Sequence, residues 1–140
     1  MQEIANTDVF IGTAAVADYR PAAPSECKIK KVRDTLDICM ERTIDILAAV
    51  AQRPDRPFTV GFAAETDNVE EHALAKLKRK NLDLIAANEV GDAKCFEQDD
   101  NALTLFWPDG GKLELGAAAK TVLAARLMDF IAARLSDRAR

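Results

Sequence analysis

Three short and mainly apolar runs constrain the fold of this chain most strongly. They lie at residues 9–11, 58–63 and 82–87, and small or polar residues follow each of them. The first continues through small residues to Val16 and Ala17 without alternation, as expected for a strand buried on both faces of a parallel sheet, whereas a strand with one face in solvent alternates. We therefore predict three buried strands in one sheet.

Helices are predicted between these strands. Thr43 can cap a helix over residues 44–52, which nearby prolines prevent from continuing. Asp67 with Glu70 three residues later resembles a capping box, so we predict a second helix from there to about Lys80. Alternating strands and helices indicate an α/β fold with a parallel sheet, in which ligands gather outside the carboxyl ends of the strands.

The C-terminal part contains a predicted hairpin and a long helix. Residues 102–107 and 112–115 flank Pro108-Asp109-Gly110-Gly111, which has the residue types of a turn. An amphipathic helix over residues 117–135 follows. Its predicted inner stripe consists of Leu123, Leu127, Phe130, Ile131 and Leu135. Arg134 falls on the same stripe, so either the helix leaves the core by its last turn or the Arg134 side chain extends out to water.

Residues 28–41 predict a hairpin outside the main sheet. Leu36, Ile38 and Met40 alternate with polar residues, which is typical of a strand with one exposed face. We expect this strand to pair with the basic run that begins at Lys28. A monomer has little sheet to cover the apolar row, so the pattern predicts a homodimer through this hairpin.

Composition excludes several classes of function. The formal charge of -4 and the pI of about 5.0 argue against a nucleic-acid or membrane-surface role, because both need excess cations. No stretch approaches the roughly 20 apolar residues that span a bilayer, and the start lacks signal-peptide features, so we expect a cytoplasmic protein. With 140 residues, of which 49% are hydrophobic, residues 1–140 fit one domain.

The cysteines and the histidine favour neither a disulfide framework nor a zinc site. Cys27, Cys39 and Cys95 are widely spaced, and His72 is the sole histidine. Cys27 precedes the basic run, where cations would stabilise a thiolate, but an incidental loop cysteine is the better interpretation. We assign no metal ligand.

Lys76 and Lys80 are the clearest candidates for anion binding. A spacing of four places both ammonium groups on one helix face, and we expect both to face solvent when no ligand is bound. The pattern alone favours a solvated basic face near a helix C-terminus, where the macrodipole favours positive charge. An anion bound between the two lysines is the functional alternative. Lys78 lies about 200° around the helix and serves as a comparison.

The end of the first strand and the basic run are weaker signals. Gly12, Thr13 and Ala14 leave the backbone open to a base or ribose, although small residues in a buried strand also suit close helix packing. Asp18 could accept ribose hydroxyls or a base amino group, or cap the loop that follows. Lys28 equally fits a solvated sheet edge, where lysine opposes aggregation.

Taken together, these motifs resemble phosphopantothenoylcysteine synthetase in its bacterial, CTP-using form. The resemblance runs essentially end to end. The matching segments are Gly12-Thr13-Ala14-Ala15-Val16-Ala17-Asp18-Tyr19-Arg20, Lys28-Ile29-Lys30-Lys31, Gly61-Phe62-Ala63-Ala64-Glu65-Thr66, Lys76 and Lys80 ahead of Asn81-Leu82-Asp83, and Asp99-Asp100-Asn101-Ala102-Leu103. The resemblance implies a Rossmann-like three-layer fold with a mostly parallel sheet and a protruding β-hairpin flap.

The same resemblance implies a ligase that joins cysteine to 4'-phosphopantothenate through an acyl-cytidylate, with CTP as substrate and Mg²⁺ as its companion ion. It gives Lys28 a catalytic role on a flap that reaches a neighbouring subunit. Where the family has Asn-Pro-Asp-Ile, this chain has Thr43-Ile44-Asp45-Ile46, so an asparagine side-chain contact is lost. The nucleotide contacts it implies are Gly12, Thr13, Ala14, Asp18, Lys28, Thr43, Ile44, Asp45, Ile46, Phe62, Lys76 and Lys80.

The family domain normally begins earlier, with a glycine-rich turn and an Asn-x-Ser-Ser-Gly-type segment. We therefore expect residues 1–140 to correspond to the C-terminal portion of the synthetase domain, which is often fused to a flavin-dependent decarboxylase. Two interpretations stay open. One is a portion of the ligase, and the other is a noncatalytic nucleotide-binding or dimerisation module.

Overall fold

The computed structural model describes residues 4–31, 34–90 and 100–138, and its main element is a five-stranded sheet with helices on both faces. The strands and helices follow the chain in this order: β1 (Val9–Gly12), β2 (Tyr19–Pro21), β3 (Met40–Arg42), α1 (Ile46–Ala51), β4 (Phe58–Glu65), α2 (Val69–Lys80), β5 (Leu84–Glu89), β6 (Asp100–Trp107), β7 (Gly111–Ala119) and α3 (Lys120–Arg138).

The three predicted buried strands form the parallel part of this sheet. The strand order is β1-β4-β5-β6-β7; β1 is parallel to β4, and β4 is parallel to β5. The last two strands are antiparallel and are joined by a short 3₁₀ turn, Pro108–Gly110, as the turn residues predicted. The predicted α/β class and the mostly parallel sheet are confirmed.

Helices cover the sheet on both sides, which gives three layers. Phe58, Val60 and Leu84 pack with α3 on one face, while Ala63 and Ile85 pack with α1 and α2 on the other. Two apolar clusters therefore enclose the central strands from opposite sides, as the unbroken apolar runs predicted.

Gly61 shows how closely the layers approach. A Cβ atom at this position would lie 2.8 Å from Leu82 Cδ1 and 3.0 Å from Leu47 Cδ2, so a side chain would displace both leucines. The glycine is therefore explained by close packing of α1 and the α2–β5 connection against β4.

The predicted inner stripe of α3 is confirmed. Leu123, Leu127 and Ile131 are buried, and Phe130 and Leu135 pack against their cluster. The Arg134 guanidinium lies 5.4 Å from the centre of the Trp107 ring, so its stem covers the core while its charge stays near the surface. The helix begins at Lys120 rather than residue 117, because residues 117–119 extend β7.

The predicted pairing within the hairpin of residues 28–41 is wrong. Apart from β3, neither the basic run nor the described part of residues 34–39 is in a strand. The separate hairpin is instead formed by β2 and β3, with Arg20 and Glu41 opposed and joined by an ion pair of 2.7 Å. Residues 22–39, which we call the arm, leave this short ladder and return to it. Alternation alone did not make a strand of residues 34–39, because none of the described strands pairs with them.

Two predicted helix caps are also wrong. Asp45, not Thr43, caps α1, and its side chain accepts a hydrogen bond from Ala48 N–H. Asn68 precedes α2 in the left-handed conformation and has no capping hydrogen bond, so the capping box expected from Asp67 is absent. The predicted end of α2, at about Lys80, is confirmed.

That end of α2 explains why the third buried strand begins two residues late. Asn81 has a φ of 57°, and Leu82 N–H bonds to Leu77 carbonyl at 3.0 Å, which is the hydrogen bond of a Schellman C-cap. Leu82 is buried as expected, but it belongs to the cap. In the part of the chain described here, no helix has the length and apolar character needed to cross a membrane.

Candidate functional site

A cleft of about 580 Å³ lies at the carboxyl ends of β1 and β4, beside the start of α1 and one face of α2. Every residue expected to contact a nucleotide lines it, with the exception of Lys28. These residues are Gly12, Thr13, Ala14, Asp18, Thr43, Ile44, Asp45, Ile46, Phe62, Lys76 and Lys80.

The first wall of the cleft is the segment that follows β1. Gly12 lies against α1, where a Cβ atom would be 3.3 Å from Leu47 Cδ1. Thr43 fixes the far end of this segment, since its hydroxyl donates to Ala17 carbonyl at 2.5 Å and its backbone N–H donates to Asp18 carbonyl at 2.9 Å. Thr43 thus has a structural role here, at the position where the resemblance implies an asparagine.

Asp45 joins α1 to α2 across the cleft. One carboxylate oxygen caps α1, and the other lies 2.8 Å from Lys80 Nζ. Burial acts to raise the pKa of Asp45, but the Lys80 ammonium and the Ala48 N–H outweigh it, so this pKa lies below its usual value. The ion pair holds the Lys80 ammonium at the cleft and leaves its side chain only 15% exposed.

Lys76 is held by a different group, the carbonyl of Phe62. Its ammonium donates a hydrogen bond of 2.9 Å to that oxygen, which lies within β4. Burial lowers the pKa of Lys76, the Lys80 charge lowers it further, and the carboxylate of Glu65 opposes the shift. The expectation that Lys76 and Lys80 both face solvent is therefore wrong, because both are partly buried against the cleft wall.

Lys28 lies outside the cleft. It is exposed on the arm, in a segment without regular secondary structure, and it does not line the cavity. Sequence reasoning also missed Asn88, which lines the cleft from the carboxyl end of β5. The available signal was its position as the first polar residue after the third apolar run.

The described residues do not form a metal cage. Nowhere in residues 4–31, 34–90 and 100–138 do three His, Cys, Asp or Glu side chains cluster closely enough to hold an ion. Asp18 and Asp45 both line the cleft, but Asp45 is already paired with Lys80.

The fold and the cleft together define an α/β domain with a cleft at the carboxyl ends of parallel strands, where such folds bind ligands, and with a cationic side formed by α2. The chain belongs to the family of the DNA/pantothenate metabolism flavoprotein C-terminal domain, whose model matches residues 1–135.

Several relatives are similar over most of this chain. The Coenzyme A biosynthesis bifunctional protein CoaBC of Vibrio cholerae is 52% identical over 135 residues, which cover 94% of this chain and 34% of the relative. The CoaBC protein of Escherichia coli K12 is 50% identical over 138 residues, covering 95% and 34%. That of Bacillus subtilis is 40% identical over 128 residues, covering 91% and 32%. The chain thus spans about one third of the length of these relatives.

Solved structures agree with this assignment. The crystal structure of the C-terminal domain of a CoaBC protein is 38% identical, with a TM-score of 0.75, and the match covers 97% of this chain and 59% of that one. A DNA/pantothenate metabolism flavoprotein from Streptococcus pneumoniae has a TM-score of 0.70 at 19% identity, covering 95% of this chain and 66% of that one, and shows the fold alone.

Proposed function

We propose that this domain binds CTP in the cleft as part of a ligase that joins cysteine to 4'-phosphopantothenate in coenzyme A biosynthesis. The observation that carries the proposal is the convergence of separate sequence segments on one cleft, with two partly buried lysines on one side. The names of the CoaBC relatives support the pathway.

The cleft has the distribution of charge that a nucleotide triphosphate requires. Lys76 and Lys80 present two ammonium groups from neighbouring turns of α2, where they would stabilise the negative charge of the phosphates. Asp18 and the small residues after β1 lie on the other side, where a ribose and base would fit between backbone groups. Mg²⁺ would enter with the triphosphate.

In the proposed reaction, the carboxylate of 4'-phosphopantothenate attacks the α-phosphorus of CTP. This step forms an acyl-cytidylate and releases pyrophosphate. The cysteine amine then attacks the acyl carbon, loses a proton and releases CMP, which leaves an amide. Lys28 would act on the phosphates and the acyl intermediate in the cleft of a second subunit, because it does not line the cleft of its own chain.

Calorimetry with CTP and ATP tests nucleotide binding by this chain. We expect CTP to bind more tightly, because the segments around Gly12–Asp18 and Phe62 match the CTP-using pattern. Equal affinities would leave a general phosphate site and would contradict the assignment of CTP.

The second candidate function is a noncatalytic nucleotide-binding or dimerisation module. The position of Lys28 outside the cleft favours it, since the proposed catalytic lysine is not assembled with the other residues within one chain. Product formation from 4'-phosphopantothenate, cysteine and CTP separates the two candidates when this chain is compared with a chain extended at its N-terminus. Product from the extended chain supports the ligase, whereas CTP binding without product by both chains supports the module.

A further inference from the structure

We propose that Asn88 is a phosphate-contacting residue of the cleft, whose side-chain amide donates a hydrogen bond to the terminal phosphates of the bound nucleotide. The proposal rests on the proposed function, because CTP is the ligand that carries those phosphates. It adds a residue that the resemblance does not supply, and it assigns that residue to one part of the ligand.

The Asn88 side chain is available to a ligand because it has no role in building the cleft. Lys76 bonds to a carbonyl, and Lys80 and Asp45 bond to each other. Thr43 bonds to the segment after β1. Within residues 4–31, 34–90 and 100–138, the half-buried Asn88 amide has no such hydrogen bond. A side-chain amide that is not engaged by the protein keeps two N–H donors for a ligand that enters the cleft.

The sheet places Asn88 opposite the lysines. Along β5, Ile85 and Ala87 pack in the cluster that contains α2, whereas Leu84 and Ala86 pack in the cluster that contains α3. Because successive side chains alternate between faces, Asn88 continues the α3 side. Lys76 and Lys80 come from α2 on the other side, so a group above the ends of β4 and β5 would lie between them and Asn88.

The strand order distinguishes the phosphates from the nucleoside as the partner of Asn88. The segment expected to hold the ribose and base follows β1, and β5 is two strands away from it, with β4 between them. Two strand spacings amount to roughly 10 Å. Ala64 is the register partner of Asn88 and its small side chain leaves space at the end of β4. Asn88 therefore lies beside β4, whose Phe62 carbonyl binds Lys76, and two strands away from the nucleoside segment.

Calorimetry with inorganic pyrophosphate, CTP and CMP tests the proposal on Asn88→Ala and Asn88→Asp. We expect Asn88→Ala to weaken pyrophosphate and CTP about 10-fold, the effect of one lost hydrogen bond to a charged group, and to leave CMP unchanged. Asn88→Asp is nearly isosteric and should weaken both further through charge repulsion. Gln52→Ala, which removes an exposed amide at the far end of α1, should change none of the three affinities.

The possible results separate this proposal from the proposed function. Unchanged CTP affinity in Asn88→Ala, while the unaltered chain binds CTP, overturns the role of Asn88 and leaves the proposed function intact. An equal loss for CMP and CTP overturns the phosphate assignment. If the unaltered chain binds neither CTP nor pyrophosphate, the proposed function and this inference both fail. Thermal unfolding of each variant checks the fold, and Asn88→Asp decides if Asn88→Ala does not fold.

Discussion

The two cleft lysines differ in what holds them, although they are one turn apart on the same helix. Lys80 is paired with a carboxylate, whereas Lys76 is bonded only to a neutral carbonyl. An arriving phosphate would therefore compete with Asp45 for Lys80. Lys76 has no ion pair with any of the described residues, so the phosphate would be its first direct anionic partner. Their spacing was readable in the sequence, but these partners come from β4 and α1 and required the fold.

Replacing either lysine with alanine should weaken CTP binding by about 1.5 to 3 kcal/mol, the scale of a lost charge-assisted hydrogen bond. Lys80→Ala should have the larger effect, because it leaves the Asp45 carboxylate unpaired beside the phosphates. Calorimetry measures both, with Lys78→Ala as the exposed control on another face of α2. Equal losses for all three variants would mean that the lysines supply only diffuse attraction.

The lowered pKa of Lys76 predicts a pH dependence. CTP affinity should decrease as pH rises through this pKa, below the ordinary lysine value of 10.5, because the neutral amine no longer attracts phosphate. Without ligand the sign is opposite for stability: the unfolded state binds more protons across that window, so the free energy of unfolding rises with pH. Calorimetry between about pH 7 and 10 tests the first effect.

Lys76→Arg is the control for this pH dependence, since arginine remains protonated across the same range. The variant should retain its CTP affinity as pH rises. A parallel decrease in the unaltered chain and in Lys76→Arg would assign the titration to another group.

At the scale of elements, a polar network lies at the starts of β4 and β5, the ends of these strands that are away from the cleft. Arg56 donates two hydrogen bonds of 2.8 and 2.9 Å to the Asp83 carboxylate, which also accepts from the Thr59 N–H and hydroxyl. Arg138 of α3 lies 3.7 Å from the same carboxylate. The Asp83 carboxylate therefore links three parts of the fold, which are the start of β4, the α2–β5 connection and the end of α3.

Asp83→Ala should lower the free energy of unfolding by roughly 2 to 4 kcal/mol, because it leaves the Arg56 guanidinium and the Thr59 amide partly buried without their acceptor. Chemical denaturation measures this change. Asp55→Ala is the matched control, because Asp55 forms an exposed ion pair with Arg53 alone, and it should cause little change. A similar small effect for Asp83→Ala would contradict a stabilising role for the network.

The elements that sequence reasoning predicted are those whose pattern depends on burial. The unbroken run at residues 58–63 and the stripe of α3 both reflect contact with a core, and both are confirmed. The caps were mistaken because neighbouring polar residues compete for one position, as Thr43 does with Asp45. The arm was mistaken because strand pairing depends on a partner far along the chain, and Tyr19 to Pro21 gave no local signal for it.

At the scale of the whole molecule, exposed apolar side chains on the arm and at the start of β3 support the proposed homodimer. Leu36 and Ile38 of the arm are 62% and 58% exposed, and Met40 of β3 is 46% exposed. Although the predicted pairing of this segment was wrong, the uncovered row is present. The proposed homodimer would cover it and would bring Lys28 to a second cleft.

Sedimentation at micromolar concentration should show two chains, and Ile38→Asp should shift them to monomers by placing a charge in the apolar contact. Val122→Asp provides the control, because Val122 is similarly exposed on α3, at 42%. A monomer that binds CTP normally would remove the homodimer and the role of Lys28 in a neighbouring cleft.

The base of the arm has an evolutionary consequence. Arg20 and Glu41 face each other there, and Ala22 N–H bonds to Cys39 carbonyl at 3.0 Å, so the chain closes on itself before the arm begins. The cost of closing a loop grows only slowly with its length. Arms of different length could therefore be accommodated at this base without disturbing the cleft of the same chain. Only Lys28 ties the arm to the chemistry of the neighbouring cleft, so the rest of the arm could change with the partner chain within one gene lineage.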